Sequence, residues 1–271
     1  MLNEPRVYRY STARLVLLIV LLLGLGVVPF IVLGSANFQY AFIIVAVIGV
    51  LIVVSIYTMT RSTTVSNDEI STRGLLGETS LRWSEIDSVF GSGNAIKLRN
   101  RDGDVTVSPA TNLPGYLEVI EIIGAKRPDL FSPSKHARMS RSVFEILLFL
   151  VVGAGLLGVG LYLYVTSAET MMKTLFLGGV VLGLVVFSFM SVLSVTIDGA
   201  QLTIRYLLNK IVLSQLDVHS ILLNVMQTRS GKSYSIVIYT THNRMVRFSG
   251  VGRSLPITYL VLKNWHQGAA R

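Results

Sequence analysis

The chain is written twice. With a shift of 132 residues, Arg6 and Arg9 fall on Arg138 and Arg141, and the apolar run that begins at Leu15 falls on the run that begins at Leu147. At the same shift, Thr64, Arg73, Leu75, Leu76, Leu81 and Ser88 fall on Thr196, Arg205, Leu207, Leu208, Leu213 and Ser220. A period that runs without a gap from an apolar segment into a polar one predicts a tandem duplication, each copy a membrane hairpin plus a small β-rich module.

Hydrophobic residues make up 51% of the chain and charged residues 14%, a balance foreign to an ordinary soluble domain of this length. Four runs are long and apolar enough to cross a hydrocarbon core of roughly 30 Å as helices: about Leu15 to Gly34, Tyr40 to Met59, Val143 to Val165 and Thr174 to Leu193. In lipid the backbone must satisfy its own hydrogen bonds, which favours helices. Short links, Ser35 to Gln39 and Thr166 to Lys173, make each pair a tight hairpin. Of 24 Lys and Arg residues only Lys173 lies in either link, which by the positive-inside rule places both termini and both polar segments in the cytoplasm.

A cleaved signal peptide is the competing reading of the first run, since Arg6, Arg9 and Arg14 precede it and Gly34-Ser35-Ala36 follows. Its core exceeds the roughly 7–15 residues of a signal, and the repeat matches it to an internal run that cannot be one. The chain has no cysteine, which excludes disulfides, thiolate nucleophiles and cysteine metal sites.

The expected boundaries are a hairpin over 1–60, a β module over 61–133, a second hairpin over 134–193 and a second module over 194–271. In the first module, alternation and polar punctuation predict strands at Thr64 to Ser66, Ile70 to Arg73, Thr79 to Trp83, Ser88 to Gly91, Ala95 to Arg99 and Val105 to Ser108. A closing helix starts near Pro114 and stops before Pro128. The second module repeats the opening strands at Val195 to Ile197, Gln201 to Tyr206 and Lys210 to Ser214. Its closing helix starts at Leu255-Pro256, an offset of 142, so ten extra residues enter between Ile221 and Leu255 as longer strands and hairpins. Modules this small bury a modest core alone, and packing against a neighbouring element is expected.

The stretches Val65 to Ile70, Arg73 to Gly77 and Leu81 to Val89, with Trp83 in the turn, resemble bacterial membrane proteins that carry pleckstrin-homology-like domains. The second copy keeps the pattern over Ile197 to Leu208 and Leu213 to Ile221, with Gln215 where Trp83 stands. The resemblance implies a bacterial cytoplasmic membrane and, after each membrane hairpin, a roll-like β-sandwich closed by a helix. That fold serves lipid or protein binding and in most members is not catalytic; fold alone does not give function.

Charge separates the copies. Residues 61–141 carry 11 basic and 10 acidic side chains, whereas 194–271 carry 9 basic and 2 acidic. Arg205, Lys210, Arg229, Lys232, Arg244, Arg247 and Arg253 are therefore candidate ligands for anionic headgroups or a partner. The alternative is the basic bias of any cytoplasmic domain near a membrane. In pleckstrin-homology modules the first loop often supplies phosphate ligands, which would point to Arg205 and Lys210. A shared structural bond of Arg73 and Arg205 explains the repeat equally well.

Catalytic signals are sparse. Ser230-Gly231-Lys232-Ser233 ends like a phosphate loop, but Met226 stands where the first glycine is required. Asp102-Gly103-Asp104 lacks the later ligands of a calcium loop. His136, His219, His242 and His266 show no metal spacing. Neither a cofactor nor a metal is expected, and the basic residues lack the interleaved aromatics of a nucleic-acid module. Within the membrane runs, Glu145 lies near the headgroups, away from mid-depth. Ala154 with Gly158, and Gly179 with Gly183, permit close helix approach. The expected function is a non-enzymatic membrane scaffold, assembly or accessory subunit of a membrane-protein complex. The alternative is an anionic-lipid sensor acting through the second module.

Overall fold

The computed structural model describes residues 4–33, 38–141, 151–156, 158–159, 162, 178–179, 183, 192–228, 231–252 and 254–268. Contacts divide the chain into two compact units, one of residues 1–89 and 97–122, the other of residues 90–96 and 123–271.

In the first unit, β1 (Arg6–Arg9) leads into α1 (Thr12–Leu33) and α2 (Phe38–Met59), and the chain returns as β2 (Ser62–Val65), β3 (Glu69–Gly74) and β4 (Gly77–Arg82). The four strands form one antiparallel sheet in the order β1-β2-β3-β4. Alternation turns Tyr8, Val65, Ile70 and Leu81 inward. A 3-10 turn, Trp83–Glu85, follows; the Glu85 carboxylate accepts the Arg82 N–H at 3.1 Å and ends the strand. β5 (Ile86–Phe90), β6 (Lys97–Asn100) and β7 (Thr106–Val107) then make a three-stranded sheet. α3 (Tyr116–Lys126) buries Tyr116, Val119 and Ile120.

The second unit repeats the plan. β8 (Arg138–Ser140), β9 (Val192–Asp198), β10 (Gln201–Tyr206) and β11 (Lys210–Ser214) form an antiparallel sheet, and a 3-10 turn, Gln215–Asp217, repeats the strand-ending bond from the Ser214 N–H to Asp217 at 3.2 Å. The register recurs residue for residue. Val65 faces Ile70 and Ile70 faces Leu81 in the first sheet; Ile197 faces Leu202 and Leu202 faces Leu213 in the second. The leading strand departs from this offset by one residue. Tyr8 faces Thr63, whereas Met139 faces Val195, so Met139 and not Ser140 takes the buried place of Tyr8.

β12 (Val218–Thr228), β13 (Gly231–Thr240) and β14 (Met245–Phe248) form the second three-stranded sheet. β12 and β13 span 11 and 10 residues where β5 and β6 span 5 and 4, which locates the ten-residue expansion. The closing helix, α4 (Leu255–Gly268), packs on β12 and β13 and on the 3-10 turn Pro128–Phe131. Asn264 Nδ2 donates to the carbonyls of Pro128 at 3.1 Å and Phe131 at 3.2 Å. At its start, Leu255 N–H donates to Gly93 O at 2.8 Å and Ser254 Oγ to Ala95 O at 2.7 Å. Enclosed on more than one side, α4 buries every residue from Leu255 to Leu262 and also Trp265.

The expected architecture of four transmembrane helices in two hairpins is corrected. The fold is built mainly on four antiparallel sheets, and among the described residues only Phe42–Met59 is long and apolar enough to cross a membrane. The runs expected from Val143 to Val165 and from Thr174 to Leu193 lie largely outside the described residues.

Candidate functional site

The β3–β4 hairpin closes on a two-residue loop, Leu75-Leu76, between the paired Gly74 and Gly77. Leu76 is 92% exposed and Leu75 57%. Beside this tip, a pocket of about 270 Å³ is lined by Tyr57 and Arg61 at the end of α2, by the tip itself, by Thr106 of β7 and by Ser108 and Ala110 after it. The Arg61 guanidinium stacks 4.9 Å from the Tyr57 ring centre, and its Nη2 donates to the Tyr57 hydroxyl at 3.0 Å. Sequence reading missed this pocket because it joins a helix end, a hairpin tip and a loop from three parts of the chain.

In the second unit the β10–β11 hairpin repeats the loop as Leu207-Leu208, exposed to 50% and 83%. Arg205 and Lys210 are cross-strand partners at its base, where the first unit has Arg73 opposite Glu78. Both basic side chains are exposed, and among the described residues neither forms an ion pair. The Tyr206 N–H donates to Asn209 O at 2.8 Å to close the turn, and burial raises the Tyr206 phenol above its ordinary pKa.

Of the predicted basic residues, the structure thus brings Arg205 and Lys210 together. Arg247 lies on β14 in the other sheet of the unit and Arg244 in the turn just before that strand, both exposed. Arg247 lies across that sheet: its Nε donates to Ser235 Oγ at 3.0 Å and its Nη2 reaches Met226 Sδ at 3.4 Å. Lys232 is half-buried on β13 opposite Gln227. Arg229 and Arg253 lie outside the described residues. Ala154 is exposed, and a Cβ built at Gly158, Gly179 or Gly183 would meet no atom within 4 Å.

Around Arg247, the outer face of the sheet exposes Leu222, Met226, Tyr239 and Met245. The register sets Tyr239 opposite Met245, and Val237 between Leu222 and Arg247. No signal in the sequence marked this face, because both sides of β12 and β13 are rich in apolar residues. No known family model matches the chain, and no curated protein matches it. The geometry alone therefore bears the functional reading.

Proposed function

We propose that the protein is a non-enzymatic, membrane-anchored scaffold or accessory subunit, held in the bilayer by α2 and presenting its β sheets to a membrane-protein complex at the cytoplasmic face. The observation that carries this reading is the run from Phe42–Met59, with none of it buried, through Tyr57 and Arg61 straight into β2. An aromatic residue and a cation at the end of an apolar helix suit the membrane interface. Each unit sets a four-stranded sheet, a three-stranded sheet and a helix in the order of a pleckstrin-homology-like roll, a fold suited to binding. The exposed face of Leu222, Met226, Tyr239 and Met245 supplies the apolar area, with Arg247 as a polar anchor, that a protein partner buries.

Native mass spectrometry of the full chain, extracted from its own membranes in mild detergent, tests the reading. A stoichiometric membrane-protein partner should accompany the native chain and be lost from the Leu222→Asp/Met245→Asp variant. A chain that travels alone, or a partner that the variant retains equally, counts against the scaffold.

A further inference from the structure

A two-residue hairpin loop ordinarily takes Asn, Asp or Gly, because those residues suit the backbone of a tight turn. Here both copies place Leu-Leu at that position, exposed at the tip of the strand pair. The backbone does not ask for it: among the described residues the one non-glycine position with positive φ is Asn243. The two copies have diverged nearby, Trp83 against Gln215 and Glu78 against Lys210, yet both keep the leucines. A local rule broken twice in the same way marks a contact made outside the fold.

The first unit shows what that contact is. Leu75 and Leu76 line the same pocket as Tyr57 and Arg61, so the tip stands level with the interfacial end of the apolar helix. In the second unit the corresponding leucines rise from the cross-strand pair of Arg205 and Lys210, cations positioned to meet acidic headgroups while the leucines pass between them. We propose that the two Leu-Leu hairpin tips are wedges that insert into the bilayer surface, and that the basic pair makes the second wedge select anionic lipid. The inference rests on the membrane reading above.

Because the chain has no cysteine, single-cysteine variants carry one probe each. The full chain is labelled with an environment-sensitive fluorophore at Leu208→Cys, at Leu216→Cys or at Val50→Cys. It is then reconstituted into vesicles of phosphatidylcholine alone or mixed in equal parts with phosphatidylglycerol. Leu216 is as exposed as Leu208, 83% each, but sits past the far end of β11, away from the tip. In the mixed vesicles the Leu208 probe should shift to the blue, and shallow nitroxide lipids should quench it at least roughly twofold more than the Leu216 probe, as expected about 5–10 Å into the boundary. The shift should be lost in pure phosphatidylcholine and in the Arg205→Glu/Lys210→Glu background. A Leu208 probe that stays in water while the Val50 probe is shifted to the blue and quenched by deep nitroxide lipids overturns the wedge and leaves the anchor standing. If the Val50 probe also stays in water, the anchor and the wedge fall together. A shift that survives in phosphatidylcholine or after charge reversal overturns the lipid selection.

Discussion

Trp265 donates its indole N–H to the carbonyl of Gly199 at 2.9 Å, binding the closing helix to the β9–β10 turn. In the first unit the matching turn is held by Trp83, which donates to Ser66 O at 3.1 Å from the 3-10 turn after β4. Gln215, which replaces Trp83, now bonds through its side-chain amide to the Trp265 carbonyl. The turn that Trp83 serves in the first unit is thus served in the second by a tryptophan 50 residues beyond the corresponding Gln215. Replacing Trp265 with Phe should cost about 0.5–1.5 kcal/mol for the lost hydrogen bond. Replacing it with Ala should cost roughly 3–5 kcal/mol through the cavity left in the core. Denaturant unfolding of the full chain followed by circular dichroism separates the two losses.

Gly91 has no room for a side chain. A Cβ there would stand 2.1 Å from Ala95 O, the acceptor of the Ser254 hydroxyl, and 3.1 Å from Ser254 Cβ. The obstacle is mainly backbone, so Gly91→Ala should destabilise by about 1–3 kcal/mol, with the start of α4 losing protection first. Gly74→Ala, where a Cβ would meet only Arg61 Cγ at 3.9 Å and the backbone is likewise not left-handed, is the control for an added methyl without the clash. Hydrogen exchange at Leu255 to Thr258 reads the difference.

Asp129 receives two hydrogen bonds from Arg127, at 2.9 and 2.7 Å, and this pairing holds its carboxyl below the ordinary carboxylate pKa. A carboxylate that is more acidic folded than unfolded adds stability above the unfolded value of about 3.9 and loses it as pH falls through the folded value. Asp129→Asn should therefore be less stable than the native chain at neutral pH, and the gap should close below about pH 4. With the Asp129 side chain 56% exposed, solvent screening keeps the neutral-pH difference under about 1 kcal/mol. Paired melts at neutral and acid pH measure it.

Val50 is 63% exposed near the middle of the candidate span. An arginine placed there should disfavour insertion by roughly 2.5–3.5 kcal/mol. Carbonate extraction should release more of the Val50→Arg chain than of the native one, while Val7→Arg, on β1, should leave extraction unchanged. Equal retention of both variants would argue against α2 as an anchor.

The pattern of residues was enough to show the repeat, the opening strands of both modules, the Leu255-Pro256 start of the second closing helix and the position of the ten-residue expansion, whereas the first closing helix starts at Tyr116, two residues after the expected Pro114. Each of these is written in short-range alternation or in a spacing that the second copy restates. Hydropathy overreached on the membrane part: an apolar average marked four runs, whereas among the described residues only Phe42–Met59 is long and apolar enough to cross a membrane.

Tertiary structure decided the rest. β1 and β8 are four and three residues long, each too short to signal a strand, and each joins its sheet only because a returning strand offers an open edge. The one-residue shift that buries Met139 rather than Ser140 follows from pairing with Val195. The exchange of Trp83 for Trp265, and the pocket beside Tyr57 and Arg61, likewise depend on segments far apart in the chain. Alternation tells each segment which side to bury, but what covers that side is settled only when distant surfaces compete for the same apolar area.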